Sequence, residues 1–173
     1  STNLITYSED FSDSSWTKSS LSVTSGFVSP DGSLNASTIT EDSTLNNHRI
    51  WAGSATGSGT HTISVFGKAN DRNWLLIRND GNNAWFDILN GVVGTVQSGV
   101  GSIENYGNGW YKCSITMSSL SSPAIGIADN NGSYSYQGNG TGSIYIWGAQ
   151  AEEQSYPTSY IPTTGAIATR LAD

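Results

Sequence analysis

Apolar and polar residues alternate with a period of two along much of this 173-residue chain, and no helical periodicity persists for three turns. The alternation predicts strands over Thr62–Ala69, Trp74–Arg78, Ala84–Ile88, Trp110–Met117, Pro123–Ala128 and Ser143–Gln150. Between and around them lie Asp31-Gly32, Asp80-Gly81, Asn90-Gly91, Asn131-Gly132 and Asn139-Gly140. Asn and Asp tolerate left-handed dihedrals and Gly has no Cβ to clash, so such pairs close hairpins. Strands joined this way, with no helix between them, are expected to form two antiparallel sheets packed face to face.

Composition agrees with that expectation. Only 12% of residues are charged, which disfavours long solvent-facing helices, while six Trp, eight Tyr and four Phe provide ample apolar area for a core. One sandwich domain is expected over residues 1–155, with Gly53–Thr60 and Gly138–Ser143 as small-residue loops. Pro157, Pro162 and Gly165 interrupt residues 156–173, which are expected to form an irregular tail that packs on the sandwich or leads to another module.

Several function classes are disfavoured. The net charge of −7 arises from 14 acidic and 7 basic side chains, and Lys18, Arg49, Lys68, Arg72, Arg78, Lys112 and Arg170 are scattered singly in the sequence. Such a field repels nucleic acid. There is no apolar run of the roughly 18 residues that a membrane helix requires, so no membrane insertion is expected, and no basic-then-apolar signal segment opens the sequence. The single Cys113 shares a strand face with Tyr111, Ile115 and Met117 and reads as a small core residue. No Gly-x-Ser-x-Gly elbow or Gly-Lys-Ser/Thr phosphate loop is present. His48 and His61 lack metal-ligand spacing, and the adjacent Glu152 and Glu153 would point to opposite faces of a strand, leaving solvated surface as their simplest reading. His48, Arg78 and Tyr145 are the residue types of a polysaccharide lyase, but their spacing fixes nothing. No catalytic residues are therefore expected. Asp129-Asn130-Asn131-Gly132-Ser133 is a turn that superficially resembles a calcium loop without its distal Glu.

The aromatic residues are more informative. With Phe86 and Ile88 in the core, Trp85 and Asp87 face outwards; with Ile144 and Ile146 inside, so do Tyr145 and Trp147. The same phase turns out Trp110 and Lys112, and, with Leu75 and Ile77 inside, Trp74, Leu76 and Arg78. An outward set comprising Trp74, Arg78, Trp85, Asp87, Trp110, Lys112, Tyr145 and Trp147 suits sugar recognition. Flat rings stack on pyranose faces and planar polar groups orient the hydroxyls.

These motifs also carry a resemblance. Asn3-Leu4-Ile5-Thr6-Tyr7-Ser8-Glu9-Asp10-Phe11 with Trp16, Ser29-Pro30-Asp31-Gly32, Gly109-Trp110-Tyr111-Lys112-Cys113, Ile146-Trp147-Gly148-Ala149-Gln150 with Glu152, and Thr158-Ser159-Tyr160-Ile161-Pro162-Thr163-Thr164 stand out. Together they resemble a jelly-roll carbohydrate-binding-module-like domain, of the kind that recurs in bacteriophage tail fibres and other virion proteins and in some bacterial polysaccharide-degrading enzymes. The resemblance runs from Asn3 to Asp173. It implies an all-β jelly-roll β-sandwich that binds a polysaccharide or cell-surface glycan, in a virion or extracellular setting, without catalysis. Binding sandwiches of this type often hold one structural calcium ion between the N-terminal segment and the last strand, where Glu9, Asp10 and Glu152 are the available oxygen donors. The alternatives are a virion decoration module whose aromatic face packs on a second copy or another virion subunit, and a polysaccharide lyase or hydrolase.

Overall fold

A computed structural model describes residues 1–171, so Ala172 and Asp173, the end of the expected tail, lie outside the described residues. The described chain contains sixteen strands and no helix. They are β1 (Thr2–Asn3), β2 (Trp16–Ser19), β3 (Leu21–Phe27), β4 (Ala36–Glu41), β5 (Leu45–Asn46), β6 (His48–Ala52), β7 (Thr56–Ala69), β8 (Trp74–Asn79), β9 (Asn82–Asp87), β10 (Val92–Val96), β11 (Val100–Gly107), β12 (Trp110–Ser121), β13 (Ala124–Ala128), β14 (Tyr136–Gln137), β15 (Ser143–Glu152) and β16 (Ala168–Thr169). Twelve of them build two six-stranded antiparallel sheets: sheet I in the order β10-β9-β8-β13-β6-β2 and sheet II in the order β11-β12-β7-β15-β4-β3. β13 inserts between β8 and β6, and β15 between β7 and β4, so the chain passes repeatedly from one sheet to the other in a jelly-roll-like β-sandwich.

Local chemistry explains the connections. Asp80 and Gly81 form the two-residue loop between β8 and β9, with φ of 48° and 76°, the left-handed pair that matches strand twist. The glycine of each of the other four predicted turn pairs also has positive φ. Residues 53–60 depart from the expected loop: β7 already begins at Thr56, because Thr56–Ser58 pairs with Ser119–Ser121 of β12. Pairing there overrides a segment with no apolar signal of its own.

The inner faces meet in one core. Sheet I contributes Ile50, Leu75, Ile77, Phe86, Ile125 and Ile127; sheet II contributes Ile39, Ile63, Val65, Cys113, Ile115, Ile144 and Ile146. Cys113 is fully buried and its thiol is pushed up by that burial, as a small core residue should be. Where the sheets close at one edge, a Cβ on Gly101 of β11 would sit 3.0 Å from methyls of Val93 and Val96 of β10.

The segment after β15 crosses the outer face of sheet II and returns to the N-terminal strand. Thr2 pairs with Thr169 and Asn3 with Ala168. Buried Asn3 is the hinge pin of this region: its Nδ2 donates to the carbonyls of Ala149 (3.1 Å) and Ile161 (2.9 Å), and its Oδ1 accepts from the Ile5 and Ala151 amides (both 3.1 Å).

Candidate functional site

The strand phase inferred from sequence places the expected residues on the outer faces, but being outward is not the same as being exposed. On sheet II, Trp110 and Trp147 are buried with Phe66 and Ala36, packed against Phe27, Tyr145 and Tyr160. The Tyr160 ring lies 4.6 Å from Trp147 and 6.2 Å from Phe66, and its hydroxyl donates to Glu9 Oε2 at 2.7 Å. Trp147 Nε1 donates to Asn35 Oδ1 at 3.0 Å. Lys112 is buried too, donating from Nζ to the Thr158 carbonyl at 2.7 Å and lying 5.6 Å from the Phe66 ring. Burial lowers the pKa of this ammonium, against the opposing pull of Glu152 and Glu104. Lys112 and Trp147 thus serve as the floor on which residues 158–161 are laid, with Trp110 buried in the same cluster, and only Tyr145 of this sheet's expected set stays half-exposed. What remains open here is a cleft of about 240 Å³ lined by Pro30, Asp31, Phe66, Tyr106, Trp147, Ser159 and Tyr160.

The same correction applies to Trp85 on sheet I. It is 1% exposed, packed with Leu76, Ala128, Trp74 and Tyr134, and it donates from Nε1 to the Ser133 carbonyl at 2.9 Å. The 129–133 turn, which in sequence showed only its polarity, is its cover. Asp87 is committed to a turn: its carboxylate accepts from the amides of Leu89 and Asn90 and from Asn90 Nδ2, all at 3.0 Å.

The residues expected to hold calcium are engaged with donors of the protein itself. Glu9 accepts from Tyr160 and from Asn35, Asp10 accepts from Ser12 Oγ at 2.6 Å, and Glu152 is wholly buried. Glu152 is not solvated surface. Its oxygens accept from Ser1 Oγ (2.7 Å), Gln150 Nε2 (2.8 Å), and Thr158 N (3.1 Å) and Oγ1 (2.5 Å). Among the described residues, no three His, Cys, Asp or Glu side chains group to hold a metal. Nor do the lyase residue types converge: Arg78 and Tyr145 lie on the outer faces of opposite sheets, and the ring nitrogens of buried His48 face the carbonyls of Ser20 (2.7 Å) and Tyr136 (3.2 Å).

One outer face combines cations with partly open aromatic rings. Central strand β13 turns only Ala124, Gly126 and Ala128 outwards on sheet I, and these small residues leave space between β6 and β8. β6 supplies Arg49 and Trp51 to that space, β8 supplies Arg78, and Tyr134 reaches in from the turn after β13, while Trp74 of β8 leans the other way, its ring close to Gly94 of β10. The Arg78 guanidinium carbon lies 4.3 Å from the Tyr134 ring centroid, and that of Arg49 lies 5.7 Å from the same ring and 4.8 Å from Trp51. All five side chains are half-buried. Arg78 Nη1 donates to Asn83 Oδ1 at 3.0 Å, while Arg49 Nε is buried without a hydrogen-bond partner. Burial lowers the Arg49 pKa, and the Arg78 charge adds to the effect, yet a guanidinium remains a cation at neutral pH. Among the described residues Arg72 pairs with Glu41 and the His48 imidazole lies 3.5 Å from Asp42, while neither Arg49 nor Arg78 has a carboxylate partner.

Trp74 and Arg78 belong to the set expected from sequence. Arg49, Trp51 and Tyr134 do not, although the alternation His48-Arg49-Ile50-Trp51-Ala52, with Ile50 and Ala52 inward, carries the phase that would have found two of them. No family model matches the chain. A comparison with curated proteins gives no match either.

Proposed function

We propose that this protein is a non-catalytic glycan-binding β-sandwich module whose ligand lies across the outer face of sheet I. The observation that carries this reading is the cluster of Arg49, Trp51, Arg78 and Tyr134, with Trp74 farther along the same face, where half-open rings and planar donors without carboxylate partners share one surface. Rings that present a face supply stacking area, and guanidinium forks orient hydroxyl or acidic substituents. The resemblance noted in the sequence favours the same class and a virion or extracellular setting. A non-catalytic role is supported by the state of the titratable groups: His61 is held against the Gly59 carbonyl at 2.8 Å, and Glu41 and Glu152 are saturated by internal donors.

A glycan array followed by calorimetric titration tests the proposal. Each of Trp51→Ala and Trp74→Ala removes a stacking surface worth about 1 kcal/mol, or roughly a five-fold weaker Kd. Tyr106→Ala, in the sheet II cleft, should leave affinity unchanged. Failure to bind any bacterial, algal or plant polysaccharide overturns the reading, and loss on Tyr106→Ala alone moves the site to the cleft.

A further inference from the structure

Resting on that reading, we infer that the glycan is anionic, bearing carboxylate or sulfate groups that Arg49 and Arg78, which meet at the Tyr134 ring, grip together. Seven cationic side chains serve the whole chain against 14 acidic ones. In so acidic a protein an arginine easily finds an internal carboxylate, as Arg72 does with a two-point contact to Glu41 at 2.9 Å for each bond. Arg49 and Arg78 do not, although they are scattered in sequence and the fold brings them to a single ring. Two like charges that close repel each other, and holding them half-buried adds desolvation. A neutral sugar gives no return on that arrangement, since amide and carboxylate side chains orient hydroxyls without it. An acid group does: each fork matches two oxygens of a carboxylate or sulfate, with the neighbouring rings left to stack on the sugar.

The pair is also local. With a net charge of −7 the rest of the molecule repels polyanions at long range, and two guanidiniums offer little to a backbone charged at every nucleotide. An acidic polysaccharide presented to a stacking platform fits this balance better than nucleic acid. Screening by salt should be visible but shallow, because partly buried charges are screened less than exposed ones.

The test compares matched polymers by calorimetry and affinity electrophoresis with the whole protein: polygalacturonate and alginate for carboxylates, dextran sulfate against dextran for sulfate, carboxyl-reduced polygalacturonate and laminarin as neutral glycans, and oligo-dT. The expected result is binding to the uronate or the sulfated polymer, which of them binds naming the acid, with at least a ten-fold loss when the charge is removed. The double variant R49Q/R78Q should lose at least ten-fold as well, while R49K, which keeps the charge and loses the fork, falls between. Unchanged thermal unfolding of R49Q/R78Q shows that the loss is not misfolding; should that variant unfold, the matched polymer pairs on the native protein still decide. Equal binding to charged and neutral polymers, or wild-type affinity in a folded R49Q/R78Q, overturns the anionic ligand but leaves a glycan-binding module. Binding to none of the glycans, or to oligo-dT in preference, overturns both.

Discussion

Glu41 shows how a buried charge can be kept without a solvent contact. Burial alone would raise its carboxyl pKa, but Arg72, the Tyr136 hydroxyl (2.7 Å to Oε1) and the Asn139 amide (2.8 Å to Oε2) more than offset it, and the value lies below the usual one of 4.5. Because the folded-state value is lowered, the stabilisation is fully present above the unfolded pKa and is lost as pH falls from about 4.5 through the folded value. Arg72→Ala strands the carboxylate and should cost about 3 kcal/mol at neutral pH, with the difference from wild type shrinking as pH falls below the usual carboxyl value of 4.5 and Glu41 of the variant takes up a proton first; urea titrations at neutral and acid pH measure both. Sequence inspection could not assign this role, since the Arg72 and Tyr136 partners come from separate loops and strands. Glu152 was misread for the same reason: its neighbour Glu153 suggested a solvated pair, whereas Ser1 and Thr158, its partners, are distant in sequence. Cys113 was legible because an alternating strand is local information.

At the scale of the strand and the segment that covers it, period-two alternation predicts which way a side chain points and nothing about what lies on top. Trp147 is the plain case, correctly phased outwards and then roofed by Tyr160. The phase itself is interrupted one residue later, where Gly148 with φ of 66° makes a bulge and returns Ala149 to the core. A Cβ there would meet Phe66 at 3.1 Å and Tyr160 at 3.2 Å, so glycine also lets the cover lie close. Truncation by Tyr160→Ala removes a half-buried ring together with the hydroxyl that bonds Glu9 and Ser8. It should destabilise the protein by about 3 kcal/mol and shift tryptophan emission to the red as Trp147 becomes wet; chemical denaturation followed by fluorescence checks both. The sheet I site was half legible: β8 was recognised as a strand, β6 was not, and the contribution of Tyr134 depends on how a turn folds back.

For the whole molecule, the two-sheet architecture was the most legible property, because alternation and turn chemistry act consistently along the chain. The placement of twelve strands among two sheets was not, since it depends on insertions such as β13 between β8 and β6. The antiparallel ladder of β1 and β16 has a mechanical meaning. Ser1 donates from its amino group to the Arg170 carbonyl at 3.0 Å, and the pairs Thr2–Thr169 and Asn3–Ala168 follow inwards. Handles fixed at Ser1 and Leu171 would therefore pull the two strands apart sideways, loading one rung at a time like a zipper. Single-molecule stretching should record an early low-force yield before the sheets rupture, and Asn3→Ala should lower that yield further by removing the pin behind the last rung. Pulling instead between Thr56 and Trp110, at opposite ends of the β7–β12 ladder, would shear many rungs together, and the sandwich should then hold to a much higher force.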